Sequence, residues 1–333
     1  MVIEKKQYQK LLNEFYIDSR TTLVSLEDVI GLTRQTISKM KTQLWENGIL
    51  VGPAIILNPI VLDLTQYFME IKTNPSEPEI LNRIKKIREV QMIDGILGNY
   101  SLIVKFQVPS KNRFSAILKK IDSEIAESRF QSYKLIEIIE PFKIGGFIIK
   151  KMVKDQAIST KDQRILHILE KNHNYRKWEL KEDSRLKLTQ NEIKRIDDIN
   201  LSRKIKKYKK REYIQNFTTR LDFQALKDKN LSKDFHAKYY VRIKPKKIGH
   251  YNSLANQLVH EKNIFELYRT GEDSGLLAIV RANGLEGFNT FIKNLYQNYD
   301  ILNTHTTVSV ESHLPEIGPP TLNAAKKVCN PLE

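Results

Sequence analysis

An internal repeat constrains this chain more than any other feature. Residues 188–226 align with residues 24–62 without a gap, at a constant offset of 164 positions. Apolar positions coincide across the alignment: Val29 falls on Ile193, Leu44 on Tyr208 and Leu50 on Ile214. A repeat of this length indicates that one folding unit is present twice. We therefore predict a tandem architecture, and 333 residues are enough for two copies that each bury a core.

The first copy opens with the pattern of a helix-turn-helix. Helices are predicted at residues 4–16 and 25–30, and a third helix runs from the N-cap Thr33 to Gly48, a residue suited to a helix end. The third helix has apolar residues that recur at helical spacing, namely Ile37, Met40 and Leu44. This spacing fixes which face of the helix is buried and which faces solvent.

The opposite face of the third helix carries polar side chains that can read base edges and phosphates in a major groove. They are Arg34, Gln35, Ser38, Lys39 and Thr42. The chain has 55 Lys and Arg against 39 Asp and Glu, and this net charge of +16 favours a polyanionic partner. We therefore predict that the helix binds double-stranded DNA. The alternative is an ordinary amphipathic surface helix.

Composition also narrows the other classes of function. No apolar run is long enough to span a bilayer and no signal peptide is recognisable, so we expect a cytoplasmic protein without membrane contact. The lone Cys329 excludes an internal disulfide and a CxxC motif. The seven histidines are scattered without metal-ligand spacing, and no phosphate loop or nucleophile elbow is present. We predict no cofactor, no metal and no catalytic residue.

Strands dominate the next part of the chain. Gly52 and Pro53 separate two short β-prone runs, which we interpret as the wing that completes a winged helix-turn-helix over residues 1–62. Over residues 63–142 strands and helices follow in the order βαββαβ, which is the ferredoxin-like arrangement. Its two helices cover one face of the sheet. The other face therefore needs a partner.

The second half repeats this plan. Residues 160–226 form a second winged helix-turn-helix with an insertion near 173–187, and residues 227–313 form a second ferredoxin-like domain. Residues 143–159 are a linker and residues 314–333 an irregular tail. The predicted fold class is α+β: two tandem copies of a winged helix-turn-helix followed by a ferredoxin-like βαββαβ domain. The two ferredoxin-like units are predicted to pair as a pseudo-dimer.

The motif order, the junction LNPIVL and the glycine turn GNYSL together resemble the Lrp/AsnC (feast/famine) family of transcription regulators. The resemblance covers about residues 4–140 and returns in the second ferredoxin-like unit. It implies a sequence-specific transcription regulator that is not an enzyme and that presents two recognition helices to successive major grooves. Family members also form larger rings, so the resemblance implies a homo-oligomer of intramolecular pseudo-dimers.

The two predicted DNA-binding heads differ in charge. Where the first copy has Arg34 and Gln35, the second has Asp198 and Ile199. Farther along the same helix the second copy is strongly basic, and we expect this part to hold the phosphate backbone. The residues concerned are Arg203, Lys206, Lys207, Lys209, Lys210 and Arg211. The alternatives are a solvated helix face and a second head that no longer meets DNA.

The family resemblance also implies a small-molecule effector site. In the family, amino-acid-like ligands bind at the glycine turn between the second and third strands, where acidic residues hold the ligand amine. The corresponding residues are Gly98, Asn99 and Ser101 in the first copy and Gly271, Glu272, Asp273 and Ser274 in the second. Only the second turn has carboxylates. The alternative is ordinary turn chemistry, which also favours Gly, Asp and Ser.

Two other functions compete with regulation. Siroheme decarboxylases resemble the same two-domain arrangement, and their ligand sites depend on Arg and His residues after the wing and around the third strand. Here GPAIILNPIVL has neither residue, and YSLIVKFQVP offers only Lys105. A non-specific architectural DNA-binding protein is the remaining alternative. We therefore expect a regulator and no enzyme activity.

Overall fold

The computed structural model describes residues 4–73, 78–126, 132–150, 201–232 and 237–329, together with Ile158, Ser159, Asp162, Ile165 and Leu166. No helix in these ranges is long and apolar enough to cross a membrane. The fold is α+β. We call residues 4–150 the first half and residues 201–329 the second half.

The first half contains five helices and six strands within the described residues. In chain order they are α1 (Lys5–Ile17), α2 (Leu23–Ile30), α3 (Arg34–Glu46), β1 (Leu50–Leu57), β2 (Thr65–Lys72), α4 (Pro78–Lys85), β3 (Val90–Leu97), β4 (Leu102–Val108), α5 (Lys111–Ala126), β5 (Ser132–Ile144) and β6 (Phe147–Ile148). The order β2, α4, β3, β4, α5, β5 is the predicted βαββαβ sequence.

The second half repeats the βαββαβ order. Its elements are α6 (Leu201–Lys210), β7 (Ile214–Leu221), α7 (Phe223–Asp228), β8 (Ala237–Pro245), α8 (Tyr251–Leu258), β9 (Ile264–Thr270), β10 (Leu276–Ala282), α9 (Gly284–Asn298), β11 (Ile301–Ser312), β12 (Glu316–Ile317) and α10 (Leu322–Cys329). Two of these helices, α7 and α10, have no counterpart among the described elements of the first half. Of the earlier helices predicted for the second winged helix-turn-helix, only Asp162, Ile165 and Leu166 are described, and these three residues are helical. The rest, and the insertion near 173–187, lie outside the described residues.

The three helices predicted at the start of the first half are present as α1, α2 and α3. The Thr22 side chain caps α2, which ends at Gly31 in the left-handed conformation with φ of 76°. The Thr33 side chain accepts a hydrogen bond from the Thr36 backbone N–H and starts α3. A core of fully buried side chains joins the three helices; it includes Leu11, Leu12, Leu26, Ile37, Met40 and Leu44.

The predicted wing is wrong, because β1 is one continuous strand. It pairs antiparallel with β7 of the second half, with Leu50 opposite Leu221 and Leu57 opposite Ile214. The ladder slips between Leu50 and Gly52, and β1 is an edge strand of the sheet β1-β7-β12. Gly and Pro are both tolerated at a bulge in an edge strand, and this explains why the dipeptide resembled a turn.

The eight strands of the two βαββαβ units form a closed barrel. Their order is β2-β4-β3-β11-β8-β10-β9-β5, and β5 also pairs with β2, which closes the ring. The two halves meet at the β3–β11 and β5–β9 ladders. Helices α4 and α5 pack on the outside of the first half's sheet, and α8 and α9 on that of the second.

Apolar side chains from both halves fill the barrel interior. Phe68, Ile103 and Ile136 of the first half cluster with residues of the second half, namely Tyr240, Tyr268, Leu277 and Ile279. The rings of Tyr240 and Tyr268 both lie edge-on to Phe68. The faces that the helices leave uncovered therefore cover each other.

Two predicted irregular segments contain regular structure. The tail predicted at residues 314–333 contains β12, which pairs with β7, and α10, which packs against α1. The Lys327 ammonium lies 3.2 Å from the Glu14 carboxylate, and the Thr321 hydroxyl donates to the Asn13 side chain. The linker predicted from residue 143 begins inside β5 and includes β6. Strand β12 forms by pairing with the distant strand β7, and β6 forms by pairing with its neighbour β5. Sequence periodicity does not reveal either pairing.

Candidate nucleic-acid interface

Helix α3 is fixed in rotation by its buried stripe. Ile37 and Met40 are fully buried and Leu44 is 1% exposed. The five residues predicted to contact DNA all lie on the exposed side of the helix; they are Arg34, Gln35, Ser38, Lys39 and Thr42. The structure therefore brings this predicted set together on one surface, which we call the α3 face.

The α3 face has one weak internal constraint. The Arg34 guanidinium Nε lies 3.1 Å from the Glu27 carboxylate, and Glu27 also accepts the Arg34 backbone N–H. The Arg34 side chain is 62% exposed, so this ion pair is worth less than about 1 kcal/mol. A phosphate or a guanine edge can replace Glu27 at little cost.

Helix α6 presents a second basic surface, the α6 face. Five of its predicted residues are exposed and Arg211 is half-buried; the five are Arg203, Lys206, Lys207, Lys209 and Lys210. Ile205 and Tyr208 lie on the buried side. The Lys209 ammonium lies 4.8 Å from the centroid of the Phe217 ring, which keeps that side chain close to β7.

One carboxylate, which sequence reasoning missed, anchors α6. Asp162 accepts hydrogen bonds from the Lys204 ammonium and the Tyr208 hydroxyl, both at 2.6 Å. Burial alone would raise the pKa of Asp162, but the bonds from Lys204, Tyr208 and Ser159 outweigh it and lower the pKa to about 2. Asp162 therefore stays charged and fixes the inner side of the helix.

The two predicted effector turns differ in what their side chains do. In the first, between β3 and β4, the Ser101 hydroxyl accepts the Thr73 backbone N–H at 2.7 Å, which makes it a structural group. Gly98 and Asn99 are exposed. The first turn therefore offers few groups to a ligand.

The second turn, between β9 and β10, meets the first half. The Gly271 backbone N–H donates to the Glu137 carbonyl of β5 at 3.1 Å. Glu272 is mostly buried, accepts from Arg242 Nε at 3.0 Å and also pairs with the Lys134 ammonium. The carboxylate predicted to hold a ligand amine is thus already neutralised by two cations of the chain.

The other side chains of the second turn differ in exposure. Asp273 is 91% exposed and pairs with Lys244 at 2.7 Å. The Ser274 hydroxyl is buried and has no hydrogen-bond partner among the residues that the structure describes. Of the predicted set, Glu272 and the Ser274 hydroxyl are therefore buried or mostly buried, whereas Asp273 faces solvent.

Sequence reasoning also missed a set of charged side chains inside the barrel. Lys105 pairs with Glu266, Lys238 with Asp94, and Arg242 with Glu70, at N to O distances of 2.9, 2.6 and 2.8 Å. Each pair joins the two halves. One sequence signal could have found them. Residues two apart in a strand lie on the same face, so a charged residue two positions from an apolar or aromatic one, such as Glu70 and Phe68, indicates a charge on a buried face.

A small cavity lies between the β1–β7 sheet and the barrel. Its volume is about 70 Å³, and its polar lining includes Gln66, Lys105, Gln107, Arg220, Glu266 and Glu316. Ligand pockets usually measure ~300–1,000 Å³, so this cavity is too small for a macrocycle as it stands. Among the described residues, no three His, Cys, Asp or Glu side chains are grouped so that they could hold a metal ion.

The chain is similar to two kinds of known protein. It is similar in sequence to transcription regulators and in fold to an enzyme. No protein-family model matches the chain. The leucine-responsive regulatory protein of Escherichia coli strain K12 is 26% identical over 115 residues, which are 33% of this chain and 70% of that protein. The same protein of Salmonella typhimurium matches equally. One third of the chain is thus similar in sequence to the leucine-responsive regulatory protein.

Solved structures extend the comparison to the whole chain. The siroheme decarboxylase NirDL, also solved with an iron-uroporphyrin III analogue, matches with a TM-score of 0.53 and 13% identity over 98% of this chain and 99% of that one. AsnC of E. coli matches with a TM-score of 0.35 and 18% identity, over 47% of this chain and 99% of AsnC. The NirDL match shows a shared fold from one end of the chain to the other.

The expectation that the chain is not an enzyme is corrected by this match. The fold that it shares over nearly its full length is that of an enzyme, the siroheme decarboxylase NirDL. The expectation used the absence of Arg and His from two short segments. Two short segments cannot show how a whole chain is arranged. The structural match covers nearly the whole chain and does show it.

Proposed function

We propose that this chain is a sequence-specific, double-stranded-DNA-binding transcription regulator, built by tandem duplication of an Lrp/AsnC-type unit. The observation that carries the proposal is the α3 face. Its five polar residues are all exposed, while the apolar residues between them are buried in the helix-turn-helix core. A helix with this division can enter a major groove without losing its packing.

The arrangement of β1 and β7 supports the proposal. The two strands run antiparallel, so β1, which follows α3, and β7, which follows α6, begin at opposite ends of the ladder. The two proposed DNA-binding helices are thus attached to one shared ladder, as two recognition helices held on a single scaffold require.

The two faces have different chemistry, and we propose different roles for them. The α3 face combines Arg34 and Lys39 with Gln, Ser and Thr side chains, which can read base edges. The described α6 face is almost entirely Lys and Arg, which bind phosphates without regard to sequence. The preferred DNA site is therefore asymmetric: one half-site is read and the other is held.

We also propose that an amino-acid-like effector acts at the second turn. Its amine would take the place of the Lys134 ammonium at Glu272, where an ammonium is already accommodated. The buried Ser274 hydroxyl would gain the hydrogen bond that it lacks. Such a ligand would loosen the contact between this turn and β5, and so act on the joint between the two halves.

Removing the charges of the α3 face tests the proposed function. The double variant Arg34→Ala/Lys39→Ala is expected to bind its preferred duplex at least about tenfold more weakly, since each lost base or phosphate contact costs ~1–3 kcal/mol. Fluorescence anisotropy with a labelled duplex at several salt concentrations measures the loss. The slope of log affinity against log salt should also fall, because fewer counterions are released.

The matched control is Lys119→Ala/Lys120→Ala. It removes the same number of charges from the exposed side of α5, on the outer surface of the barrel. This control should bind like the wild type. Equal affinity of the α3-face variant and the control would refute the proposal. Equal binding to all duplexes would favour an architectural protein instead.

A siroheme decarboxylase-like enzyme is the second candidate, favoured by the full-length match to NirDL. The segments that the family resemblance implies for substrate binding, the end of β1 and strand β4, line the 70 Å³ cavity. The only cation that β4 supplies there is Lys105, which already pairs with Glu266. A substrate with several carboxylates would therefore require this pair to open.

Titration with siroheme separates the two candidates. A visible-absorption shift that saturates at one equivalent, and that Lys105→Met abolishes, would establish the enzyme-like site. Unchanged spectra, together with DNA binding that depends on the α3 face, would establish the regulator. The wild-type chain without added siroheme provides the baseline.

A further inference from the structure

Three charged pairs inside the barrel connect the two halves. Arg242 and Lys238 each have a further partner in their own half, Glu272 and Glu316. Burying a charge is unfavourable unless a partner of opposite sign is held close to it. Glu70, Asp94, Lys105, Lys238 and Arg242 are all under 8% exposed. In each of the three pairs one member comes from β2–β4 and the other from β8 or β9. The barrel therefore depends on which half faces which.

Strand register shows which residues of the two halves correspond. Glu70 lies opposite Ile103 in the β2–β4 ladder, and Arg242 lies opposite Leu277 in the matching β8–β10 ladder. Glu70 and Arg242 therefore occupy equivalent positions with opposite charges. They meet each other at 2.8 Å.

The other two pairs are also asymmetric. Lys105 lies opposite Met92 in the first half, whereas its equivalent Ile279 lies opposite Glu266 in the second. Thus Glu266 replaces Met92, and Lys105 replaces an isoleucine. In the same way, Lys238 corresponds to Gln66, and Asp94 corresponds to Tyr268. None of these positions therefore carries the same charge in both halves.

This pattern has a consequence for pairing. If two first halves met through this face, Glu70 would face a second Glu70, and Lys105 would face Met92. If two second halves met, Arg242 would face a second Arg242, and Glu266 would face an isoleucine. Both arrangements place two like charges together, Glu70 with Glu70 or Arg242 with Arg242, and leave Lys105 or Glu266 without its partner from the other half, which is unfavourable. Arg242 and Lys238 keep their partners within the second half, Glu272 and Glu316.

We propose that these three pairs are a recognition code, through which the inner sheet face of each half accepts the opposite half and rejects a copy of itself. The partner that fits the first half's inner face is thus a half that places a cation beside Glu70, a cation beside Asp94 and a carboxylate beside Lys105. The proposal rests on the tandem duplication proposed above, and it assigns the specificity of that pairing to named residues.

Tyrosine hydroxyls strengthen the code. The Tyr268 hydroxyl donates to Glu266 and accepts from Lys105, and the Tyr240 hydroxyl donates to Asp94. Both tyrosines belong to the second half, and the equivalent of Tyr240 in the first half is Phe68, which has no hydroxyl. The hydrogen bonds that satisfy the acids are therefore also supplied by one half only.

Charge reversal in the intact chain tests the code. Lys105→Glu places two carboxylates together, and Glu266→Lys places two ammonium groups together. Each single variant should lower the urea midpoint of unfolding, and the double reversal Lys105→Glu/Glu266→Lys should recover most of the loss. Arg242→Glu gives the second half the residue that the first half has at the equivalent position, Glu70. It places two carboxylates together, as a pairing of two first halves would, and should therefore lower the urea midpoint of unfolding.

The control reverses an exposed pair. Lys111 and Glu137 lie 3.1 Å apart with side chains 75% and 48% exposed, so Lys111→Glu should leave the midpoint unchanged. Additive losses in the double reversal, or an equal loss in the control, would overturn the proposal. For a variant that does not fold, recovery of soluble chain by the second reversal gives the same comparison. DNA binding is measured separately, so its absence would refute the regulator and leave this result standing.

Discussion

At the scale of single residues, one buried carboxylate anchors the chain's end. Glu316 pairs with Lys238 at 2.9 Å and with Arg281 at 2.7 Å, and the Ser312 hydroxyl donates to it. Burial alone would raise the pKa of Glu316, but the charges of Arg281 and Lys238 outweigh it and lower the pKa from its ordinary value of 4.5 to about 2. Glu316 therefore remains charged well into the acid range.

This shift predicts a pH dependence of stability. A carboxylate whose pKa is lowered on folding stabilises the folded state above its ordinary pKa, and this contribution is lost as the pH falls toward the lowered value. Glu316→Gln should therefore reduce the free energy of unfolding on the order of 2 kcal/mol near neutral pH. Urea titrations from about pH 6 to about pH 3 should show the two proteins converging as the pH falls.

The control for this prediction is Glu46→Gln, an exposed acid at the end of α3. It should run parallel to the wild type over the whole range. A constant difference between the wild type and Glu316→Gln at all pH values would contradict the account, because the lost group would then not be titrating.

Single residues also show which features of the structure can be predicted from the sequence alone. The five residues of the α3 face could be predicted, because helical periodicity fixes inside and outside within one element. The interior charges could not be predicted in this way. Glu70 and Arg242 lie on strands with both faces buried, and only the closing of the barrel from distant segments shows that they meet.

At the scale of elements, the sequence predicted which strands and helices exist better than it predicted their partners. Both βαββαβ units follow the predicted order. Strand β1 was mistaken for a hairpin because its pairing partner, β7, lies more than 150 residues further along the chain. Tail strand β12 was missed for the same reason. Non-local pairing leaves no local period in the sequence.

A contact of α1 shows how the first helix-turn-helix is held against the barrel. The Tyr16 hydroxyl of α1 donates to the Gly145 carbonyl at 2.8 Å, in the turn that links β5 to β6. Gly146, in the same turn, has a φ of 91°, and a Cβ there would lie 2.2 Å from the Tyr16 hydroxyl oxygen. The turn therefore needs glycine for its backbone and for this close approach.

At the scale of the whole molecule, one closed barrel connects two unequal basic faces. The barrel joins the halves by two ladders and by buried charge pairs. The β1–β7 ladder joins the segments that follow α3 and α6. A connection of this kind sets the distance between the faces, and under the proposed function their different side chains would give the DNA site a direction.

The most direct test of the account is selection of binding sites by the intact chain from a pool of random duplexes. Two unequal faces on one barrel predict enrichment of one asymmetric motif, with strong base preferences over one half-site and weak preferences about one helical turn away. Selection with Arg34→Ala/Lys39→Ala should lose the strong half-site. Recovery of no enriched sequence, or of a perfect palindrome, would contradict the account.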